Sequence, residues 1–234
     1  MMMVQMLGDG HAGGNVMTGE IVDRPPGMVS RAVRAALVGF YHRQGWRAET
    51  QGPIPRRCII IAAPHTSNWD FLYFIGLTHD LGFRAHFMGK KELFRWPMAG
   101  LMRENGGIPV DRSRGGNYVQ AMIDEFARRD DFRLTIAPEG TRGAVRKWRT
   151  GFYHIAMGAG VPLVCGLMDY ARKVGGLGPA MMPTGDYAAD MARVEAYYRS
   201  VTPKYPQRAM ASIVASSDNG GFVAANHNQF GETA

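Results

Sequence analysis

Short apolar runs alternate with helical patterns along most of the chain, and this alternation is the feature that most restricts its fold. Strands are predicted at 57–63, 84–88, 107–110, 132–137 and 162–167, and helices at 28–44, 71–81, 92–103 (interrupted by Pro97), 118–129, 152–159 and 187–201. The run at 57–63 contains three isoleucines and is typical of a buried strand. The alternation predicts a single layered α/β domain with a mostly parallel central sheet flanked by helices.

The chain of 234 residues has the length of one domain, which we place at 28–210. Residues 1–27 are predicted to be a mobile tail, because they are rich in Gly, Met and polar residues without periodicity, and residues 211–234 a disordered one. No run of 18 apolar residues occurs, so we expect no transmembrane helix, and no secretory signal is apparent. Both cysteines lie in apolar runs, which indicates a reducing, cytoplasmic location.

The positive charge of the chain is concentrated in its middle third. Of the net charge of +7, residues 84–149 carry +6, from 14 basic and 8 acidic side chains. Such a region can bind nucleic acid, an anionic membrane or a phosphorylated substrate, or be a solvated surface, and charge alone does not choose. The helix at 28–44 has an apolar stripe opposite arginines, which fits both a membrane-surface helix and a helix packed on its own domain.

A histidine and an aspartate follow the strand at 57–63 directly. His65 lies where the strand ends and Asp70 lies in the first turn of the next helix. Reactive groups of open α/β sheets lie at the carboxyl ends of strands. A carboxylate that accepts the Nδ1–H of an imidazole leaves Nε2 free as a base. The spacing alone favours a simpler interpretation, in which Asp70 caps the helix and His65 is an ordinary loop residue.

Three further segments stand out. Glu139-Gly140-Thr141-Arg142 follows the strand at 132–137, and its arginine presents a fork that suits phosphate oxygens, although a basic turn is also plausible. The strand at 107–110 leads to Arg112. The apolar segment 161–164 is interpreted as a core strand, with a wall for an apolar chain as its alternative.

Taken in order, these blocks resemble the glycerolipid acyltransferase family, whose best-known members acylate lysophosphatidic acid. The resemblance covers roughly residues 56–170. The matching positions are His65 and Asp70; Gly107, Ile108 and Arg112; Glu139 to Arg142; and 161–164, with Lys90-Lys91-Glu92-Leu93 also similar to a family segment.

The resemblance implies a mechanism. His65 is the general base for an acceptor hydroxyl, which attacks the acyl thioester directly while Asp70 orients the imidazole. A backbone N–H near the 65–70 turn is a candidate to stabilise the oxyanion. Glu139, Gly140, Thr141 and Arg142 help to bind the acceptor, with Arg142 on its phosphate and with Arg112 and Lys90 as candidates for the same anionic group. No cofactor, metal or covalent acyl-enzyme is expected.

The implied activity is that of an O-acyltransferase of the 1-acylglycerol-3-phosphate type, with acyl-CoA or acyl carrier protein as donor. Its partners would be a lysophospholipid and an anionic membrane surface, and its location peripheral on the inner face of the cell membrane. Departures from the family pattern at Ala137, Gly143 and Cys165 leave acyl chain length and acceptor open, so an ornithine-type lipid or a glycolipid is an alternative acceptor.

A nucleic-acid-binding module is a remote alternative, since no aromatic platform interleaves the basic residues, and we expect no nucleic acid partner. A metal site at His65, Asp70 and Glu139 lacks a second histidine at ligand spacing.

Overall fold

The computed structural model describes residues 25–96, 99–110, 118–143 and 147–209. The two predicted tails lie outside these ranges, except for residues 25–27. Within that short stretch, the backbone N–H of Gly27 donates a 3.2 Å hydrogen bond to the Glu104 carboxylate. No helix within the described ranges is both long enough and apolar enough to cross a membrane.

Within these ranges, seven strands form one sheet with helices on both sides. The strands are β1 (Arg47–Thr50), β2 (Arg57–Ala62), β3 (His86–Lys90), β4 (Gly107–Val110), β5 (Phe132–Ile136), β6 (Leu163–Asp169) and β7 (Val174–Met181). The helices are α1 (Met28–Arg43), α2 (Trp69–Asp80), α3 (Ala99–Glu104), α4 (Tyr118–Arg128), α5 (Gly151–Ala159) and α6 (Tyr187–Tyr198), with 3-10 turns at Lys91–Phe94 and Pro206–Arg208.

The strand order is β1-β7-β6-β2-β5-β3-β4. The five strands from β6 to β4 are mutually parallel, whereas β7 is antiparallel to β6 and β1 is parallel to β7. The predicted α/β fold with a mostly parallel sheet is therefore confirmed.

Two strands, β1 and β7, were not predicted. The β7 segment contains three glycines and a proline, a composition that disfavours strands. Its glycines instead allow helices to lie close to the sheet. A Cβ at Gly175 would lie 3.3 Å from Leu77 of α2, and one at Gly178 would lie 2.7 Å from the Tyr197 ring of α6. Close packing against these helices, together with pairing to β6, explains a strand that local propensity does not indicate.

The helix predicted at 92–103 is instead two separate elements, the 3-10 turn Lys91–Phe94 and α3. Arg95 and Trp96 belong to neither. A proline disfavours helical backbone in the residue before it, so Pro97 is a sufficient reason for the division.

The central strand β2 positions the candidate site. Its residues are buried on both sides: Ile59 and Ile61 pack in the larger core with α4, α5 and α6, and Cys58 and Ile60 pack in a smaller core on the other side. Because β5 and β6 are the parallel neighbours of β2, the carboxyl ends of all three strands meet at one edge of the sheet.

Candidate active site

Residues 63–68 connect β2 to α2, and we call this connection together with the first two residues of α2, that is residues 63–70, the catalytic turn. Nδ1 of His65 lies 3.1 Å from Oδ2 of Asp70. The same carboxylate oxygen accepts hydrogen bonds from the backbone N–H groups of Thr66, at 3.0 Å, and Ser67, at 2.9 Å. Asp70 is buried in the first turn of α2, and His65 is partly exposed. The carboxylate therefore both organises the turn and engages one ring nitrogen of the histidine.

The second oxygen of Asp70 contacts Tyr170, a residue that the sequence interpretation missed. The Tyr170 hydroxyl donates a 2.6 Å hydrogen bond to Oδ1 of Asp70. Burial, reinforced by this bond to Asp70, raises the pKa of Tyr170 well above its usual range, so the hydroxyl remains a donor. A signal was available, because Tyr170 directly follows β6 and so lies at the same sheet edge as His65.

Glu139 lies under the catalytic turn. Its Oε1 accepts a 3.1 Å hydrogen bond from the backbone N–H of His65. The side chain is buried, and this burial raises the pKa of Glu139 to about 7, although the His65 N–H opposes the rise. Its Oε2 has no hydrogen-bond partner within the described part of the chain. Glu139 thus supports the backbone of His65 and titrates near neutral pH.

The segment Glu139-Gly140-Thr141-Arg142 also contacts the catalytic turn through Arg142. Nη1 of Arg142 donates to Oδ1 of Asn68, a partner that the sequence interpretation also missed. Gly140 has a φ of +66°, and a Cβ there would lie only 2.9 Å from Nε of Arg149, so glycine suits this position. Thr141 and Arg142 are exposed. The structure therefore brings the segment 139–142 together with His65 and Asp70.

The other predicted site residues are placed less directly. Lys90 is exposed at the end of β3, and no described contact joins it to the catalytic turn. Arg112 lies outside the described residues; the strand that precedes it, β4, is paired with β3 at the sheet edge. The apolar segment 161–164 enters the buried core at the start of β6.

A cavity of about 520 Å³ lies between α2 and the sheet, with His65, Asp70, Asn68 and Arg142 in its lining. Its apolar lining includes Ile60, Ala62, Phe71, Leu72, Phe74, Leu77, Phe87, Met88, Met102, Leu167, Met168 and Leu177. From Asn68 to Leu77 the lining follows α2 for about 14 Å, at ~1.5 Å per helical residue. The wall in β6 is formed by Gly166, Leu167 and Met168 rather than by 161–164. The cavity can hold an extended apolar group that ends beside His65.

The described part of the chain contains no set of side chains suited to bind a metal ion. Within those ranges, no group of three or more His, Cys, Asp or Glu side chains is arranged to hold an ion. The contacts of Asp70 and Glu139 are instead with N–H and O–H donors. Proton transfer at His65 is the chemistry that this arrangement suits.

The chain is similar to several known proteins. A 1-acyl-sn-glycerol-3-phosphate acyltransferase of Haemophilus influenzae is 31% identical over 107 residues, which span 43% of this chain and 43% of that protein. The crystal structure of the 1-acyl-sn-glycerophosphate (LPA) acyltransferase of Thermotoga maritima matches with a TM-score of 0.49 and 21% identity, over 72% of this chain and 77% of that one. The match to the Haemophilus protein thus spans less than half of its length. The family model described as Acyltransferase matches residues 47–168, more than half of the chain, and the protein therefore belongs to the acyltransferase family.

Proposed function

We propose that this acyltransferase transfers a fatty acyl group from the thioester of an acyl-CoA or acyl carrier protein to a hydroxyl of a lysophospholipid, with 1-acylglycerol-3-phosphate as the acceptor. The main support is the 3.1 Å contact between His65 and Asp70 in the lining of an apolar cavity. The name of the Haemophilus relative supports this choice of acceptor.

In the proposed reaction His65 is the general base. Asp70 engages Nδ1, so Nε2 accepts the proton of the acceptor hydroxyl while its oxygen attacks the thioester carbonyl carbon. The new C–O bond produces a tetrahedral oxyanion, whose collapse breaks the C–S bond. The imidazolium of His65 then returns the proton to the departing thiolate. The Asp70 carboxylate stabilises the imidazolium between these two transfers.

The contacts of the catalytic turn narrow the choice of oxyanion donor. The backbone N–H groups of four turn residues already donate to side-chain oxygens. These residues are His65, Thr66, Ser67 and Trp69. Among residues 65–69, this leaves the N–H of Asn68 as the donor for the oxyanion. Its neighbour Arg142, bonded to the Asn68 side chain, adds positive charge at the same place.

Direct attack by the acceptor is also supported by the state of the candidate nucleophiles. Ser67 is buried, and its Oγ accepts a hydrogen bond from the Trp69 N–H. Burial raises the pKa of the Cys58 and Cys165 thiols to about 12, so both remain protonated at neutral pH. We therefore expect no acyl-enzyme intermediate.

The substrates have separate binding features. The apolar cavity, within the ~300–1,000 Å³ range of ligand pockets, accepts the acyl chain. Arg142 binds the acceptor phosphate, aided by the Gly140 and Thr141 backbone, while Glu139 holds the turn. Lys90 and Arg112 remain candidates for the same anionic group.

We propose that the two interpretations of α1 apply to different halves of the helix. In its second half Tyr41 is fully buried and the Phe40 ring lies 5.8 Å from the Trp69 ring, so this half packs on the domain. In its first half Met28 and Val29 are each 78% exposed. The basic residues of that half are Arg31 and Arg34. We propose that the first half contacts an anionic membrane surface, which gives the enzyme access to lipid substrates from the side.

A direct assay tests the function. The protein is incubated with a fatty acyl-CoA and with lysophosphatidic acid, an ornithine-type lipid or a glycolipid in turn, and thiol release and the acylated product are measured. Acceptor-dependent thiol release with diacylated product from lysophosphatidic acid is expected. Thiol release without an acylated lipid, or transfer to none of the acceptors from either CoA or carrier-protein donors, would refute the proposal.

A further inference from the structure

A second group of cations lies beside the catalytic turn, outside the segment that the family model matches. The chain from 202 to 208, which follows α6, runs along the turn. The N–H of Tyr170 donates to the carbonyl of Thr202 at 2.8 Å, and the N–H of Tyr205 donates to Oγ1 of Thr66 at 3.3 Å. Nη1 of Arg208 lies 3.5 Å from the carbonyl oxygen of Thr66. Because Thr66 adjoins His65, the 202–208 segment is fixed close to the reacting atoms.

Aromatic rings hold the two cations of this segment. Nζ of Lys204 lies 4.6 Å from the centre of the Trp69 ring, 5.8 Å from that of Tyr170 and 5.9 Å from that of Tyr205. The Arg208 guanidinium lies 4.5 Å from the centre of the same Tyr205 ring. Cation–π contacts of this kind orient a charge without neutralising it.

Neither cation has a carboxylate within salt-bridge distance in the described ranges. By contrast, the arginines at the end of α6 and on its surface pair with acids: Arg193 with Asp190 and Arg199 with Glu195. An ammonium that is half-buried among rings and an exposed guanidinium on a shared ring therefore form a preorganised positive site. The guanidinium fork and the nearby ammonium suit a phosphate as their ligand better than they suit a single carboxylate or an uncharged group.

We propose that Lys204 and Arg208 form a phosphate-binding site beside the catalytic turn. This inference rests on the proposed function in assigning the phosphate to a substrate. Acyl donor and lysophospholipid each carry a phosphate, and the turn has cations from two elements, Arg142 at Asn68 and the Lys204–Arg208 pair at Thr66 and Trp69. Two separate cationic groups allow both substrates to be anchored at once.

The test replaces both cations by neutral side chains. The variant Lys204→Gln/Arg208→Gln is compared with wild type and with Arg193→Gln/Arg199→Gln, which removes the same charge from two arginines whose side chains are more than half exposed. Inorganic phosphate is titrated at constant ionic strength and its affinity is read from the rise in melting temperature. We expect the affinity to fall about fivefold or more in the first variant only. The single variant Arg208→Gln, at an exposed residue, is measured in the same way in case the double variant does not fold.

Steady-state kinetics then identify the source of the phosphate. We expect one KM to rise about tenfold or more with kcat within about threefold, because charge-assisted hydrogen bonds to phosphate are lost. A rise in the KM of acyl-CoA assigns the site to the donor, and a rise in the KM of lysophosphatidic acid assigns it to the acceptor. Unchanged phosphate affinity, or both KM values within about twofold of the control variant, overturns the inference. If wild type transfers no acyl group, the proposed function fails, while the phosphate titration still decides whether the site exists.

Discussion

The hydroxyl of Tyr170 donates a 2.6 Å hydrogen bond to Oδ1 of Asp70, a residue 100 positions earlier in the chain. Since Oδ2 of the same carboxylate lies 3.1 Å from Nδ1 of His65, the three side chains form a continuous row from the residue after β6 to the catalytic turn. Tyr170 does not line the cavity, so we expect it to act by positioning the carboxylate.

Tyr170→Phe is expected to lower kcat about tenfold and to leave both KM values within about twofold, because a hydrogen bond to a charged group is lost while the ring packing remains. Tyr73→Phe is the matched control, because it removes a hydroxyl from the same aromatic cluster without altering Asp70. Equal kcat values in the two variants would show that the hydrogen bond does not position the carboxylate.

His65→Ala is expected to lower kcat by about 10²–10⁴-fold, the usual contribution of a general base, and Asp70→Asn to lower it by a similar or smaller factor. Thiol release from acyl-CoA at saturating acceptor is the measurement. His79→Ala, an exposed histidine in the last turn of α2, serves as control. Full activity of a folded His65→Ala protein would show that His65 is not the general base.

Glu139→Gln is expected to gain stability relative to wild type as pH rises. The pKa of Glu139 is raised from 4.5 to about 7 by burial, so the folded state retains a proton that the unfolded state has lost in this range. Wild type therefore loses stability between about pH 4.5 and 7, by roughly 3 kcal/mol in all at ~1.36 kcal/mol per pH unit, and a neutral amide does not.

Thermal unfolding at pH 5 and pH 8 measures this effect. The melting temperature of Glu139→Gln minus that of wild type should be larger at pH 8. The control is Glu49→Gln, which removes the same charge at a half-exposed carboxylate paired with Arg47 on β1. A Glu139→Gln difference that falls with pH would show that burial does not control this carboxyl group.

Leu77→Phe is expected to shift the acyl preference toward shorter chains. Leu77 lines the cavity on α2 about 14 Å from Asn68, so a larger ring shortens the space available to a long chain. The ratio of kcat/KM for a long-chain to a short-chain acyl-CoA should fall about tenfold, at a stability cost of about 1–3 kcal/mol for overpacking. Leu81→Phe makes the same change next to α2 but outside the cavity lining. The same ratio in both variants would place the acyl chain elsewhere.

Met28→Gln/Val29→Gln is expected to weaken binding to vesicles that contain anionic phospholipid by about tenfold or more, because two exposed apolar side chains no longer enter the membrane surface. Sedimentation with vesicles measures the bound fraction. Met182→Gln, at another exposed methionine, is the control and should bind like wild type. Equal binding by all three proteins would show that the first half of α1 does not contact the membrane.

The sequence alone was sufficient to predict the parallel strands of the sheet. It also predicted that two polar segments, one with His65 and one with Glu139, lie at the carboxyl edge of these strands. β2 and β5 are apolar runs long enough to be recognised, and each is followed at once by its polar block, so the proximity of His65 and Glu139 follows from parallel pairing. The contact between His65 and Asp70 was implied by the family resemblance, whereas the spacing alone favoured a helix cap and an ordinary loop histidine.

The tertiary structure decided what local patterns do not encode. The glycine-rich β7 forms because β6, α2 and α6 pack against it, and no propensity within its own residues indicates a strand. The cavity exists only once α2 lies over the sheet. Tyr170 and Lys204 reach the catalytic turn from 100 or more residues away, since the chain returns past the carboxyl edge after β6 and again after α6. Such contacts depend on packing between distant elements, which is why the turn could be recognised from sequence and its supporting residues could not.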